Sequence, residues 1–345
     1  MLLLGIETSC DDTAAAVLAD GELRSSIVSS QDAVHGPYGG IVPEIASRHH
    51  VTNVLPVVHA ALEQAGATID DLEGIAVTRG PGLVGSLLVG LSAAKGFAVS
   101  RGIPLIGVNH LEGHLLAIFL EREVEFPYLA LLVSGGHTSL VVAEGLGRYR
   151  AVGETRDDAA GEAFDKAAIM LGLGFPGGRK IDRLARDGDA AAIRFPRATV
   201  RGRPLDFSFS GLKTALREYL RGGNRHLAPG NRPRPGDAGL PVEGELADIA
   251  ASFQEAIVDV LVERTLAAAD GLGVSRVVVS GGVSANSRLR ELMQEDAAKR
   301  GIEVFVPAIR FCTDNAAMIA WAGRWRLERG ERSPLDVNAS ASLRL

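Results

Sequence analysis

Cysteine is almost absent from this chain: Cys10 and Cys312 are the only two in 345 residues. Two thiols so far apart make neither a disulfide framework nor a four-cysteine zinc site, and a reducing cytoplasm is the expected setting. Aromatic residues are scarce too, at 5%, which leaves few rings on which single-stranded bases could stack. No apolar run reaches the roughly 18 residues of a membrane-spanning helix. The longest candidate, 83–99, is broken by Lys95 and several glycines. The opening MLLLGIETS has no basic segment before its apolar run and no small-residue cleavage site, so it reads as a first strand and not as a signal peptide. Two common motifs are missing, the phosphate loop G-x-x-x-x-G-K-[ST] and the nucleophile elbow G-x-S-x-G. The stretch Gly172-Leu-Gly-Phe-Pro-Gly177 fits G-x-G-x-x-G but follows a helix signal rather than a strand, which removes the dinucleotide reading.

What is present is an ordinary globular composition, 46% hydrophobic and 23% charged, in a chain long enough for two domains. The net charge of −6 argues against a general coat for nucleic acid, yet the charge is unevenly spread. Between 192 and 225, Arg194, Arg197, Arg201, Arg203, Lys213, Arg217, Arg221 and Arg225 stand against only Asp206 and Glu218. Such a run is either a solvated face or a patch that contacts the phosphates of a polyanion.

Hydrophobic patterning divides the chain into two similar halves. An apolar run at 2–5, a polar loop at 7–13 and a second apolar run at 14–19 predict a β-hairpin. Residues 128–133, the loop Ser134-Gly-Gly-His-Thr138 and the run 140–143 repeat that plan. Strand and helix signals alternate after each hairpin, which predicts an internal duplication with a mainly parallel, buried sheet in each half. In the first half a helix is expected over 43–66, interrupted at Pro56, then a strand at 74–78 and a Gly/Ala-rich helix to about Ser100. A strand at 104–108 leads into Asn109, a good helix cap, and a helix carrying His110 and His114. In the second half helices are expected near 162–171, 211–221, 246–270 and 287–300, with strands at 276–279 and 303–307. A final helix is expected from about Asp314 to Arg329. The Gly-, Pro- and Arg-rich stretch 222–244 has no periodicity and is expected to be a mobile insertion.

His110 and His114 stand at i and i+4, about 40° apart around a helix, so both imidazoles face one way at metal-ligand spacing. The order His110-Leu-Glu-Gly-His114 is not the zinc-protease H-E-x-x-H. Glu112 falls roughly 200° from His110 and points away from any shared metal. A third, anionic ligand is needed, and Asp314, after the last strand, is the leading candidate. Two histidines and a carboxylate suit Fe(II) or Zn(II) and leave positions open for substrate oxygens. A second constellation consists of the loops Ser134-Gly135-Gly136 and Ser280-Gly281-Gly282, each after an apolar strand, where backbone N–H groups can approach phosphate or ribose oxygens. Asp11 in the first hairpin loop, Asp165 after Gly161 and Asp182 after Gly178 recur beside these loops. Each is also explicable as a helix cap or a solvated charge.

Taken together, Gly5-Ile-Glu-Thr-Ser-Cys-Asp11, His110-Leu-Glu-Gly-His114, Leu132-Val-Ser-Gly-Gly-His-Thr138, Gly161-Glu-Ala-Phe-Asp-Lys166, Phe207-Ser-Phe-Ser-Gly-Leu-Lys213, Gly281-Gly-Val-Ser-Ala-Asn286 and Thr313-Asp-Asn315 resemble the tRNA threonylcarbamoyladenosine transferase family, TsaD in bacteria. The resemblance spans essentially the whole chain; 222–244 looks longer and richer in Arg and Pro than the family pattern. It implies an α/β actin-like ATPase fold: two duplicated lobes of mixed sheets flanked by helices, with a central cleft. One lobe would be 1–124 plus about 313–345, the other about 125–312. It also implies an acyltransferase that moves the threonylcarbamoyl group from L-threonylcarbamoyl-adenylate to N6 of adenosine 37 in tRNAs reading codons that begin with A. By resemblance, His110, His114 and Asp314 hold one divalent metal, usually iron. Leu132, Val133, Ser134, Gly135, Gly136, Asp165, Gly178, Asp182 and Asn286 bind the adenylate, and Asp11 is needed for activity. The implied partners are tRNA, a shorter TsaB-like paralogue and a TsaE-like ATPase, with no membrane. A small-molecule carbamoyltransferase of the same fold is the nearest alternative.

Overall fold

The computed structural model describes residues 1–222 and 243–345; apart from its ends, the stretch 222–244 expected to be an insertion lies outside the described residues. The chain packs as two compact units, Met1–Val124 with Pro307–Leu345, and Glu125–Val306. The return into the first unit therefore begins at Pro307, earlier than the expected 313.

The first unit holds a five-stranded sheet ordered β3-β2-β1-β4-β5, built from β1 (Leu2–Glu7), β2 (Asp12–Ala19), β3 (Glu22–Ser30), β4 (Gly74–Gly80) and β5 (Leu105–Asn109). β1 runs antiparallel to β2 and parallel to β4. Alternation along β2 shows why the sheet is covered on both faces. Ala15 and Val17 pack with Val54, Val58 and Leu62 of α2 (Pro43–Ala65) and Leu91 of α3 (Val84–Arg101). Ala14 and Ala16 pack on the opposite face with Phe311 and Ala316. Phe311 belongs to the short α10 (Ile309–Cys312), and Ala316 opens α11 (Ala316–Glu328). A one-turn helix, α1 (Asp32–His35), precedes α2, and α4 (His110–Leu116) follows β5 directly.

The second unit repeats the design. Its strands β6 (Tyr128–Val133), β7 (Thr138–Gly145), β8 (Arg148–Glu154), β9 (Arg276–Ser280) and β10 (Glu303–Phe305) are ordered β10-β9-β6-β7-β8. The same pairings are antiparallel, β6–β7 and β7–β8, and the same are parallel, β6–β9 and β9–β10. Leu129, Leu131 and Val133 of β6 share a core with Phe164 and Ala167 of α5 (Ala160–Met170), Phe253 and Leu261 of α8 (Glu243–Leu272) and Leu289 of α9 (Ser287–Ala298). Two further helices, α6 (Gly178–Ala185) and α7 (Ser210–Leu220), complete it.

The sheets are mixed, as the family resemblance implies, and not mainly parallel as the strand–helix alternation alone suggests. The difference lies in the outer strands β3 and β8, which the sequence reading passed over. Their burial alternates or is mostly exposed, so they lack the continuous apolar run that marks a buried parallel strand.

Candidate metal centre and ligand loops

Local chemistry at three chain positions builds the first unit's site. The Asn109 side chain accepts a hydrogen bond from Leu111 N at 2.9 Å and starts α4 at the end of β5. That puts His110 and His114 on the first two turns, both buried. At α11 the capping work falls to Asn315, which accepts from Met318 N at 3.0 Å. The last helix therefore begins at Ala316, two residues later than expected, and its capping side chain is that of Asn315 rather than Asp314. Gly113 lets the two helices close up: a Cβ there would meet Ile319 Cδ1 of α11 at 2.8 Å.

The result is a convergence. Asp314 Oδ1 lies 3.1 Å from His114 Nε2 and 3.5 Å from His110 Nε2, and one ligand atom from each of the three residues lies within 4.8 Å of the others. The imidazoles stand edge-on at 88° with centroids 4.7 Å apart. Glu112 faces Arg326 at 3.9 Å instead, in line with its expected direction away from the pair. Two imidazole nitrogens and one carboxylate oxygen gathered this way could hold a divalent metal ion.

Sequence reasoning missed the groups behind this cluster. Glu7, fully buried at the end of β1, accepts from His110 Nδ1 at 3.0 Å and from Thr78 Oγ1 at 2.5 Å, and Ser9 N donates to its other oxygen. Ser9 Oγ also lies 3.1 Å from His110 Nδ1. A carboxylate on the outer nitrogen fixes a ligating histidine's ring orientation and tautomer. The only signal in the sequence was an acid at the end of an apolar strand. His114 has no such support: among the described residues its buried Nδ1 has no hydrogen-bond partner.

These charges shift one another. Burial pulls the His110 pKa down, but Asp314 and Glu7 more than offset it and raise it to about 9. Burial pushes Glu7 up, and His110 overcomes that push, leaving it below its ordinary value. In the hairpin loop, burial and then the Asp314 charge lift Asp11 to about 6. Asp12, which sequence reasoning did not single out, rises to about 8 from burial, Asp314 and Asp11.

The second unit gathers the glycine loops. Gly161 N, at the start of α5, donates to Ser134 O at 3.2 Å. A Cβ on Gly161 would stand 2.5 Å from Ser134 O and 2.7 Å from Gly135 Cα, so glycine alone lets the helix start lie against the loop. Asp165 Oδ1 accepts from Gly177 N at 2.7 Å. Asp182 Oδ1 accepts from Ser287 N at 3.0 Å and Ser287 Oγ at 2.7 Å. Asn286 caps α9 through Leu289 N at 2.9 Å and donates to Gln254 Oε1 at 2.7 Å. Val133 packs into the unit's core and the Leu132 side chain is buried as well, so both offer a ligand only main-chain atoms. Gly135, Gly136 and Gly178 differ from Gly161: a Cβ on any of them would meet nothing within 4 Å, and none has a left-handed φ.

The basic run is partly neutralised. Arg197 pairs with Asp259 at 2.6 Å, Arg203 with Asp206 at 3.7 Å, Lys213 with Asp158 at 3.7 Å and Arg217 with Glu218 at 3.8 Å. Arg225 lies outside the described residues.

A mixed five-stranded sheet present twice in one chain, in the same strand order and with the same pairing directions, defines an actin-like ATPase fold. Solved structures agree at the level of fold: HypF from T. kodakarensis superposes with a TM-score of 0.62 at 14% identity, over 95% of this chain and 48% of that one. Full-length HypF in its phosphate- and nucleotide-bound form gives 0.60 at 14% identity, over 95% of this chain and 46% of that one. The chain thus spans about half of each HypF. Within the fold class, the model of the family TsaD, "tRNA N6-adenosine threonylcarbamoyltransferase", matches residues 22–321, and the chain belongs to that family. A relative of that name from Anaeromyxobacter sp. (strain Fw109-5) is 56% identical over 348 residues, covering 100% of both chains. One from Syntrophus aciditrophicus (strain SB) is 54% identical over 341 residues, covering 98% of this chain and 96% of the relative.

Proposed function

We propose that this chain is a tRNA-modifying acyltransferase that places a threonylcarbamoyl group on N6 of adenosine 37, in tRNAs reading codons that begin with A, with L-threonylcarbamoyl-adenylate as donor. Family membership over the full chain carries the reading, and the same relatives set aside the small-molecule alternative. In the reaction the adenosine N6 forms a bond to the carbamoyl carbon, the bond from that carbon to the phosphate oxygen breaks, and AMP leaves. The exocyclic amine is a weak nucleophile, so the site must stabilise the leaving phosphate and accept an amine proton.

His110, His114 and Asp314 are the proposed ligands of one divalent metal, ferrous iron first and zinc as the other ion the donor set admits. Bound there, the ion supplies Lewis-acid stabilisation of carbamoyl and phosphate oxygens. Glu7 keeps the His110 Nδ1 proton in place, so that Nε2 faces Asp314. Asp11 is the proposed base; a carboxylate lifted to about 6 is ionised at neutral pH and still basic enough to take a proton. Adenylate binding is assigned to the main chain at Leu132, Val133, Ser134, Gly135 and Gly136, with Asp165, Gly178, Asp182 and Asn286. Three bare glycines support this: neither packing nor a left-handed backbone calls for them, whereas close approach of the main chain to a ligand would. The N-terminus of α5 against Ser134–Gly135 adds a favourable field for phosphate. A cytoplasmic setting, a TsaB-like paralogue and a TsaE-like ATPase complete the proposal.

Mass spectrometry of nucleosides from unmodified tRNA, incubated with the protein, the adenylate and the partner proteins, tests the reading. Threonylcarbamoyladenosine at position 37 is the expected product; unmodified adenosine under conditions where donor and tRNA both bind contradicts it.

A further inference from the structure

One buried imidazole has no part in that scheme. His50 of α2 is fully buried, and it ties Cys10, in the loop between β1 and β2, to Thr13 at the start of β2. Its Nε2 lies 2.9 Å from Cys10 O and its Nδ1 lies 2.8 Å from Thr13 Oγ1. A carbonyl oxygen only accepts, so Nε2 carries the proton and Nδ1 accepts from the Thr13 hydroxyl. His50 is therefore held neutral in a single tautomer, and burial lowers its pKa in agreement.

Between those two anchors stand only Asp11 and Asp12. Burial first, and then the negative charge of Asp314, raises the pKa of each. Asp12 and Thr13 are already paired with Ser30 and Ser29 of β3, whereas the stretch just before them lies outside the strands and, held by its own turns alone, would yield. The element holding it does not: α2 is anchored in the core through Val54, Val58 and Leu62. The Gln31 side chain donates to Ala46 O of the same helix at 3.4 Å and lies 3.2 Å from His35 Nε2.

We infer that His50 is a positioning residue for the transfer reaction, clamping the turn from Cys10 to Thr13 so that Asp11 and Asp12 stay beside Asp314. The inference rests on the role proposed for Asp11. It predicts a defect in rate rather than in binding, because His50 bonds to Cys10 and Thr13 and to none of the three proposed metal ligands.

The test compares His50→Ala, His50→Gln and Thr13→Val with the unaltered protein in threonylcarbamoyl transfer to unmodified tRNA, reading kcat, KM for the adenylate, bound metal and Tm. Misplacing a reacting group by about 1 Å can cost on the order of 10²-fold in rate, and His50→Ala is expected to lower kcat on that scale. KM and metal content should stay close to native. His50→Gln keeps an N–H for Cys10 O and is expected to regain most of the rate. Thr13→Val removes one anchor and is expected to fall between. Where His50→Ala does not fold, the last two variants carry the test. The clamp is overturned if folded His50→Ala keeps the native rate, or if His50→Gln is as slow as His50→Ala. Asp11→Asn, measured alongside, separates the two ideas. Full activity there removes the role of Asp11 and the basis of the inference. An inactive Asp11→Asn beside a fully active His50→Ala removes the clamp alone.

Discussion

Glu7 has no water to share its charge with, and its three donors set how His110 behaves. A ligating histidine whose outer nitrogen loses its carboxylate is both a poorer donor and free to rotate. Glu7→Gln keeps the size but puts an amide where Thr78 Oγ1 and Ser9 N donate, so one of those contacts must be lost. The variant is expected to bind metal about 10- to 100-fold more weakly, the usual cost of losing such a partner, as read by competition with a chelator. Unchanged affinity would show that His110 needs no orienting carboxylate. Asp11 carries a different prediction. Its pKa is raised to about 6, so it accepts protons only above that pH. The transfer rate should rise with pH up to about 6 and level off beyond, and Asp11→Asn should lower the rate and remove this limb. A limb that survives in Asp11→Asn belongs to another group.

At the scale of elements, much was legible in the sequence and the exceptions share a cause. The spacing of His110 and His114, the Asn109 cap and the apolar strands all follow from periodicity and local hydrogen bonding, so they can be read from neighbouring letters. β3 and β8 could not be read this way, because outer strands with half-polar faces resemble loops. Glu7 and His50 were invisible for a related reason. Their roles depend on partners far away in the chain, at His110 and at Cys10 and Thr13, and no local pattern marks such a contact. The glycines were legible as residues but not as reasons. Structure separates Gly161, which packing requires, from Gly135 and Gly178, which it does not. Gly135→Ala and Gly178→Ala are therefore expected to change stability by no more than about 0.5 kcal/mol, the scale of a surface substitution that disturbs no packing. Both should weaken binding of an adenylate analogue in a calorimetric titration. A large loss of Tm, or native affinity in both, would remove these glycines from the ligand site.

Across the whole molecule, duplication is the main fact, and the sequence showed it as loops sharing chemistry rather than letters. The two sheets agree strand for strand, yet the halves have diverged in what they carry. The first unit holds the buried histidines and carboxylates, and the second holds the bare glycine loops. The basic run between 192 and 225 supports tRNA binding less than its letters suggest, since four of its charges are already paired within the fold. What the account depends on most is that His110, His114 and Asp314 serve transfer and not merely the packing of α4 against α11. Bound metal and threonylcarbamoyladenosine formed on tRNA, measured on the same samples of His110→Ala/His114→Ala and of the unaltered protein, decide this directly. The account predicts that the double variant loses both metal and product while remaining folded. A folded double variant that binds no metal yet modifies tRNA at the native rate would contradict it.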